Sequence, residues 1–218
     1  SEYNNIPIYS LYGENKKPTL NSLNDVDVIL FDIQDVGVRF YTYISTLHYI
    51  MESCAEENIP LIILDRDNLH SNYIDGPVLN KKFSSFVGMH QVPVVYGMTI
   101  GEYALMINGE NWLPNLLTCE LNIIKLKHRD PFNLNDSVLS HPPSPNLKTN
   151  LSIKLYPTLC FFEGSVLSIG RGTDFPFQVI GYPSIKTDFI DKLISEKDKC
   201  YNFQNYYFTP ISRKESRY

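Results

Sequence analysis

Two short, almost uninterrupted apolar runs bracket one amphipathic stretch early in this chain, and few folds accommodate that order. Residues 27–33 read Asp-Val-Ile-Leu-Phe-Asp-Ile, and residues 61–64 read Leu-Ile-Ile-Leu. Runs this short and this apolar are typical of parallel strands covered on both faces. Between them Ile44, Leu47, Met51 and Cys54 with Ala55 recur at helical spacing, while Ser45, Glu52, Glu56 and Glu57 fall on the other side. Thr42 is suited to cap the start of this helix. Asn58 suits a left-handed terminal residue and Pro60 prevents continuation, so the helix is expected to end near Glu57. Strand, helix and strand in this order form a right-handed βαβ unit with a parallel pair. The first strand is expected to be central. Both strands deliver polar ends, Asp32 to Asp35 and Asp65-Arg66, to one rim, and such rims are where open parallel sheets bind ligands.

The rest of the chain extends this α/β reading. A short strand is predicted over residues 6–11, a turn over 12–15, and a brief helix from Pro18-Thr19 through Leu23. Residues 67–88 read as irregular, with Asp75-Gly76-Pro77 as a turn. A further strand is expected over 92–96. Thr99-Ile-Gly-Glu102 matches a capping box, with Met98 and Tyr103 placed as a hydrophobic staple, and its helix should run to Asn108-Gly109. Residues 120–126 alternate polar and apolar, as a half-buried edge strand does. The texture then changes to Pro, Asn, Ser and Asp, centred on 141–146 (His-Pro-Pro-Ser-Pro-Asn). This divides the chain into a first domain, 1–140, a linker, 141–150, and part of a smaller domain, 151–218. In the latter a strand is expected over 156–163, a glycine-rich segment over 164–173 and a helix over 188–197.

Composition narrows the function classes. The net charge of -5 and pI near 5.5 argue against nucleic acid or an anionic membrane surface as a partner. No apolar run reaches the roughly 18 residues of a spanning helix. Cys54, Cys119, Cys160 and Cys200 stand far apart without the C-x-x-C spacing of zinc or redox sites, and read as buried thiols. Gly170-Arg-Gly172 lacks the third glycine of a dinucleotide fingerprint, and there is no phosphate-binding loop, so no cofactor is indicated. Both ends look cut, and the chain is expected to be a fragment of a longer protein.

Carboxylates carry the chemistry on offer. Asp32, Asp35, Asp65 and His90 could ligate a metal, or Arg39 and Arg66 could neutralise the aspartates across the rim. Ion pairing would keep Asp32 and Asp35 ionised, as acceptors for sugar hydroxyls. Glu102 is explained by its capping box. Glu163 is read either as a catalytic carboxyl or as the partner of Arg171. Glycoside hydrolysis needs a carboxyl group that protonates the leaving oxygen, usually with a second carboxylate nearby.

At this point the motifs become recognisable. Residues 31–46 (Phe-Asp-Ile-Gln-Asp-Val-Gly-Val-Arg-Phe-Tyr-Thr-Tyr-Ile-Ser-Thr), Leu64-Asp-Arg66, Asp75-Gly-Pro77, Gly97-Met-Thr-Ile-Gly-Glu102, Pro143-Ser-Pro-Asn146, and Glu163 with Gly170-Arg-Gly-Thr173 stand in order. Together they resemble the NamZ-type peptidoglycan exo-β-N-acetylmuramidases. The resemblance implies a Rossmann-like amino domain, a smaller α/β carboxyl domain, and a sugar site in the cleft between them. It implies release of N-acetylmuramic acid from non-reducing ends of peptidoglycan fragments without a cofactor, in a secreted or cell-envelope setting. Asp32, Gln34, Asp35, Arg39, Tyr41, Asp65, Arg66 and Tyr96 would line the site from the first domain. Ser144, Asn146, Glu163 and Arg171 would close it, with Glu163 as the catalytic candidate in this chain. Arg39, Arg66 and Arg171 become candidates to receive the lactyl carboxylate of the sugar. The family's principal glutamate belongs to a Pro-Glu-His-Gly segment upstream of Tyr9-Ser-Leu-Tyr-Gly13, and this chain is expected to lack it. Tyr96 stands where relatives carry His, and Lys148 where they carry Pro. The alternatives are a non-catalytic sugar-binding protein and a metal-dependent hydrolase.

Overall fold

A computed structural model describes residues 1–127, 141–186 and 203–211, together with 188, 191, 192 and 195. The chain divides into two compact units, residues 1–137 and 138–218.

The first unit opens with a two-residue hairpin, β1 (Glu2–Tyr3) against β2 (Ile6–Pro7), turned by Asn4 and Asn5 at φ 49° and 63°. Paired left-handed residues form the tight turn that matches strand twist. The strand expected over 6–11 is thus confined to its first two residues. A single helical turn follows as α1 (Leu20–Leu23), after Thr19 in extended conformation. Then come β3 (Ile29–Phe31), α2 (Tyr43–Glu57) and β4 (Leu61–Leu64). They form the predicted parallel pair, Ile29 opposite Leu61 and Phe31 opposite Ile63. Asn58 ends α2 in the left-handed region, φ 56° and ψ 37°, its N–H donating to the Cys54 carbonyl. Residues α3 (Ile100–Gly109) and β5 (Leu121–Ile124) complete the unit, β5 adding parallel to β4 with Leu61 opposite Leu121.

The sheet order is β3-β4-β5, so β4 is central and β3, expected to be central, is an edge among the described residues. The apolar run misled because only one of its faces is covered: Phe31 is 2% exposed and Leu30 57%. Beneath the covered face, Ile44, Leu47 and Met51 of α2 join Tyr103 and Ile107 of α3 against Leu61 and Ile63. Residues 92–96 do not form a strand. Val95 makes only isolated bridges: one to Val38 fastens the long loop after β4 onto the loop after β3, and one to Asp75 folds the long loop on itself.

In the second unit residues 156–163, expected as a strand, are helical: α4 (Asn150–Leu159) runs into a 3-10 segment, Cys160–Gly164. A capping box starts α4. Ser152 N–H donates to Thr149 Oγ1 at 3.0 Å, and Thr149 N–H donates to Ser152 Oγ at 3.2 Å. Ile153, Tyr156 and Pro157 form its buried stripe, and that stripe in a short window reads equally as an apolar strand. Of the helix expected over 188–197, positions 188, 191, 192 and 195 are helical and the remainder lies outside the described residues.

Candidate active site

The carboxyl ends of β3 and β4 carry the polar side chains, and two loops leaving them are tied together. Gln34 Nε2 donates to the Asp35 carbonyl at 2.8 Å and to the Asp67 carbonyl at 2.7 Å. Asn68 braces the second of these loops internally: its amide nitrogen donates to Met98 O at 2.8 Å, and its oxygen accepts the His70 N–H at 2.8 Å. His70 Nδ1 lies 2.7 Å from Val36 O. Over this clasp Asp32 and Arg66 form an ion pair, both side chains about a third or more exposed. Such a pair contributes at most about 1 kcal/mol to stability, so its guanidinium and carboxylate remain available to a ligand.

Asp35 has a different environment from the expected one. Among the described residues no arginine pairs with it. It is buried, and its Oδ2 accepts hydrogen bonds from Gly37 N–H at 2.7 Å and from the Tyr96 hydroxyl. Burial raises its pKa from 3.8 to about 6, against the opposing pull of Tyr96 and the Gly37 and Val36 amides. Desolvation penalises the carboxylate more than neutral donors can restore. Tyr96, also buried beside this carboxyl, is held firmly protonated and acts as donor.

Arg39 instead works inside the fold. It is buried, and its Nη1 donates to the carbonyls of Pro77, at 2.8 Å, and Val92, at 2.5 Å. Its backbone N–H reaches Val94 O at 2.8 Å. It therefore anchors the loop and does not neutralise Asp35. Asp65 is similarly committed: Oδ2 accepts from Thr99 Oγ1 and Oδ1 from the Gly101 N–H, both at 2.9 Å. A carboxylate on the first turn of α3 complements the helix dipole, so Asp65 fixes the start of that helix. Thr99 and Glu102 complete the predicted capping box. Tyr41 is half-buried, packed edge-on against Tyr43 with centroids 4.9 Å apart.

Behind Tyr96 lies a network that the sequence did not disclose. Its ring packs 4.8 Å from Tyr103, whose hydroxyl is 3.0 Å from His90 Nδ1. His90 Nε2 lies 2.9 Å from His48 Nδ1, and the His90 ring stacks on Trp112 at 4.6 Å. His48 faces Glu52 at 3.9 Å, which is bound in turn by Lys17 at 2.7 Å. Burial pushes His90 down to about 3, helped by His48, and lowers His48 as well. His90 is thus a neutral core residue. Among the described residues no three His, Cys, Asp or Glu side chains converge as metal ligands; Asp32, Asp35, Asp65 and His90 each face separate partners.

Because the folded histidines bind protons less readily than unfolded ones, their contribution to stability is fully present above pH 6.5 and is lost as pH falls from there toward 3. In an Asp35→Asn background, where the opposing titration of that buried carboxyl is removed, thermal melts at pH 7 and pH 4 should show a lower midpoint in acid. His90→Asn should flatten that dependence, and an unchanged slope in the variant would place the effect elsewhere.

In the second unit Ser144 and Leu147 pair across a turn. The Asn146 N–H donates to Ser144 Oγ at 3.2 Å, and Asn146 is buried. Glu163 sits in the 3-10 segment, not at a strand end. Its Oε1 accepts from Arg171 Nε at 2.7 Å and from Nη2, and its Oε2 from Cys160 Sγ at 3.2 Å. The Arg171 guanidinium lies 5.0 Å from the Phe177 ring centroid. Of the two readings of Glu163, the geometry is that of an arginine partner.

Comparison with known proteins agrees along the chain. A family model described as "Exo-beta-N-acetylmuramidase NamZ, N-terminal" matches residues 1–151, and its C-terminal counterpart matches 154–218. Peptidoglycan beta-N-acetylmuramidase NamZ of Bacillus subtilis is 43% identical over 197 residues, covering 89% of this chain and 47% of that protein. Two solved structures of DUF1343 family proteins from Bacteroides fragilis superpose with TM-scores of 0.83 and 0.80, at 41% and 36% identity. They cover 98% and 89% of this chain and 54% and 52% of theirs. The chain thus spans about half the length of the relatives it matches. It belongs to the exo-β-N-acetylmuramidase NamZ family.

Proposed function

We propose that this chain is part of an exo-acting glycosidase that releases N-acetylmuramic acid from the non-reducing ends of peptidoglycan fragments. The observation that carries the reading is the match of both family models, which together span almost the whole sequence. The rim chemistry supports it. Asp32, Gln34 and Arg66 offer hydrogen-bond acceptors and donors of the kind sugar hydroxyls need, and Arg66 offers a cation for a lactyl carboxylate. Below them Asp35 holds a carboxyl whose ionisation falls near pH 6, in the range where acid–base groups of glycosidases operate. Tyr41, Tyr96, Ser144, Asn146 and Arg171 remain proposed substrate contacts, and Arg171 could receive the carboxylate if Glu163 yields it. A cell-wall substrate implies work in the envelope or outside the cell; among the described residues, no helix is long and apolar enough to cross a membrane.

A second reading, a sugar-binding protein without turnover, draws on one observation: Glu163 is held by Arg171 and Cys160. A chromogenic β-N-acetylmuramide distinguishes the two. The protein expressed from its complete reading frame is expected to release the chromophore, and residues 1–218 alone to do so far more slowly. No turnover by the former, with muramyl sugars still bound, would establish the binding protein instead.

A further inference from the structure

We propose that Cys54 and Cys119 form a redox pair that closes into a disulfide in an oxidising compartment. The two are distant in sequence, and the fold brings them to one place. Cys54 occupies the last turn of α2, where its carbonyl accepts the N–H groups of Asn58 and, at 2.9 Å, Ile59. Pro60 and Leu61 follow directly, and the Leu61 N–H donates at 2.9 Å to the carbonyl of Glu120, the neighbour of Cys119. The end of α2 is therefore linked to the start of β5 by a few residues and one strand bond.

Side-chain direction completes the arrangement. Cys119 precedes Leu121 and Ile123 at alternate positions, so it shares their face of the strand. That face packs against the core cluster to which Cys54 and Cys119 both belong. Asn108 of α3 fixes the Cys119 backbone from both sides, its Nδ2 donating to the carbonyl at 2.8 Å and its Oδ1 accepting the N–H at 3.1 Å. The thiols are 1% and 2% exposed, are both unoxidised here, and each shifts the ionisation of the other, with Cys119 Sγ also 3.7 Å from the Glu120 carbonyl.

That contact divides the chemistry between them. The influence of Cys119 favours the thiolate on Cys54, while Cys54 and burial keep Cys119 protonated. With glutathione disulfide as oxidant, the Cys54 thiolate attacks one sulfur and expels the first glutathione as a thiolate. Cys119 then gives up its proton and attacks Cys54 Sγ, expelling the second. One glutathione disulfide is reduced to two thiols as two protein thiols become one disulfide. Burial makes the reaction slow in the folded chain, since the last turn of α2 must open to admit the oxidant. Once formed, the bond closes a loop of roughly 65 residues and ties α2 to β5. The pair stands apart from the sugar rim, and its oxidation requires no glycosidase activity.

The test uses the chain carrying Cys160→Ser and Cys200→Ser, equilibrated in a glutathione redox buffer and then denatured with N-ethylmaleimide present. Intact mass should fall by about 2 Da, no maleimide should add, and dithiothreitol should reverse both. The unfolding midpoint should rise by on the order of 5–10 °C on oxidation. Two maleimide additions after oxidation, or a persistent glutathione adduct, would overturn the pairing. Peptide mapping of the unsubstituted chain gives an independent readout: a cross-linked peptide containing Cys54 and Cys119 supports it, and linkage of either to Cys160 or Cys200 refutes it.

Discussion

Replacing Asp35 by Asn is expected to make the protein more stable at pH 8 while slowing muramide hydrolysis. Both effects have one origin, a carboxyl buried against neutral donors. Its pKa is raised from 3.8 in the unfolded chain to about 6 in the fold. The folded state therefore holds the proton more tightly than the unfolded state does. Its contribution to stability is fully present below pH 3.8 and is lost as pH rises through 6. At pH 8 the penalty of the buried charge is on the order of 3 kcal/mol, and the amide removes it. Asn keeps an oxygen that can accept from Gly37 and Tyr96, so the loop should retain its shape. Thermal melts of both proteins should differ most at pH 8 and converge below pH 4. Equal differences at both pH values would mean that Asp35 carries no buried charge. With the complete reading frame, hydrolysis should fall about 10²-fold or more, and the limb of the pH–rate profile near pH 6 should disappear. A variant with an intact profile would remove Asp35 from the chemistry.

The elements whose physics is local were legible in the sequence. The parallel pair, the left-handed Asn58, the Thr99 capping box and the edge strand at Leu121–Ile124 each rest on spacing within about one element, and the structure contains all four. What failed depended on neighbours distant in sequence. An apolar run cannot report how many of its faces are covered, and so β3 read as central. Residues 156–163 read as a strand partly because the helix that includes them begins upstream at a capping box in which Ser152 fills the position where Glu or Gln is usual. The two strand ends share one rim as expected, yet only one of the expected pairings of its charges is present. Asp32 does pair with Arg66, whereas Arg39 turns to carbonyls of a loop some 40 to 50 residues away in sequence. Asp65 was read as a ligand-facing group because nothing in Leu-Asp-Arg indicates that α3 would begin against it. Asn68 and His70 were passed over for the same reason, and Tyr103 was read only as a staple residue. Only the Asn68 side chain gave a local hint, since an asparagine two residues before its backbone donor suits an Asx turn.

The loop that holds Asp35 depends on a missing side chain at Gly37, and Gly37→Ala is expected to be the most damaging single-methyl addition at this rim. Gly37 has φ 74°, and a Cβ built there would lie 2.1 Å from Asn68 Oδ1 and 2.4 Å from Nδ2. Two penalties combine. The left-handed backbone disfavours any residue with a Cβ by about 1–2 kcal/mol. The overlap would also drive the Asn68 amide from its bonds to Met98 O and His70 N–H, leaving buried polar groups unmet at about 1–3 kcal/mol each. Gly13 separates the two terms, because its φ is 80° and no atom lies within 4 Å of a Cβ built there. Gly13→Ala should therefore show the conformational penalty alone, a midpoint lower by about 2–6 °C, whereas Gly37→Ala should lower it by about 10 °C or more. The same substitution displaces the Gly37 N–H from Asp35 Oδ2, so the limb of the pH–rate profile assigned to Asp35 should move upward as one of its stabilising donors is lost. Equal destabilisation by the two alanines would show that Asn68 accommodates the methyl group. In that case the clasp between the loops after β3 and β4 is looser than its hydrogen bonds imply.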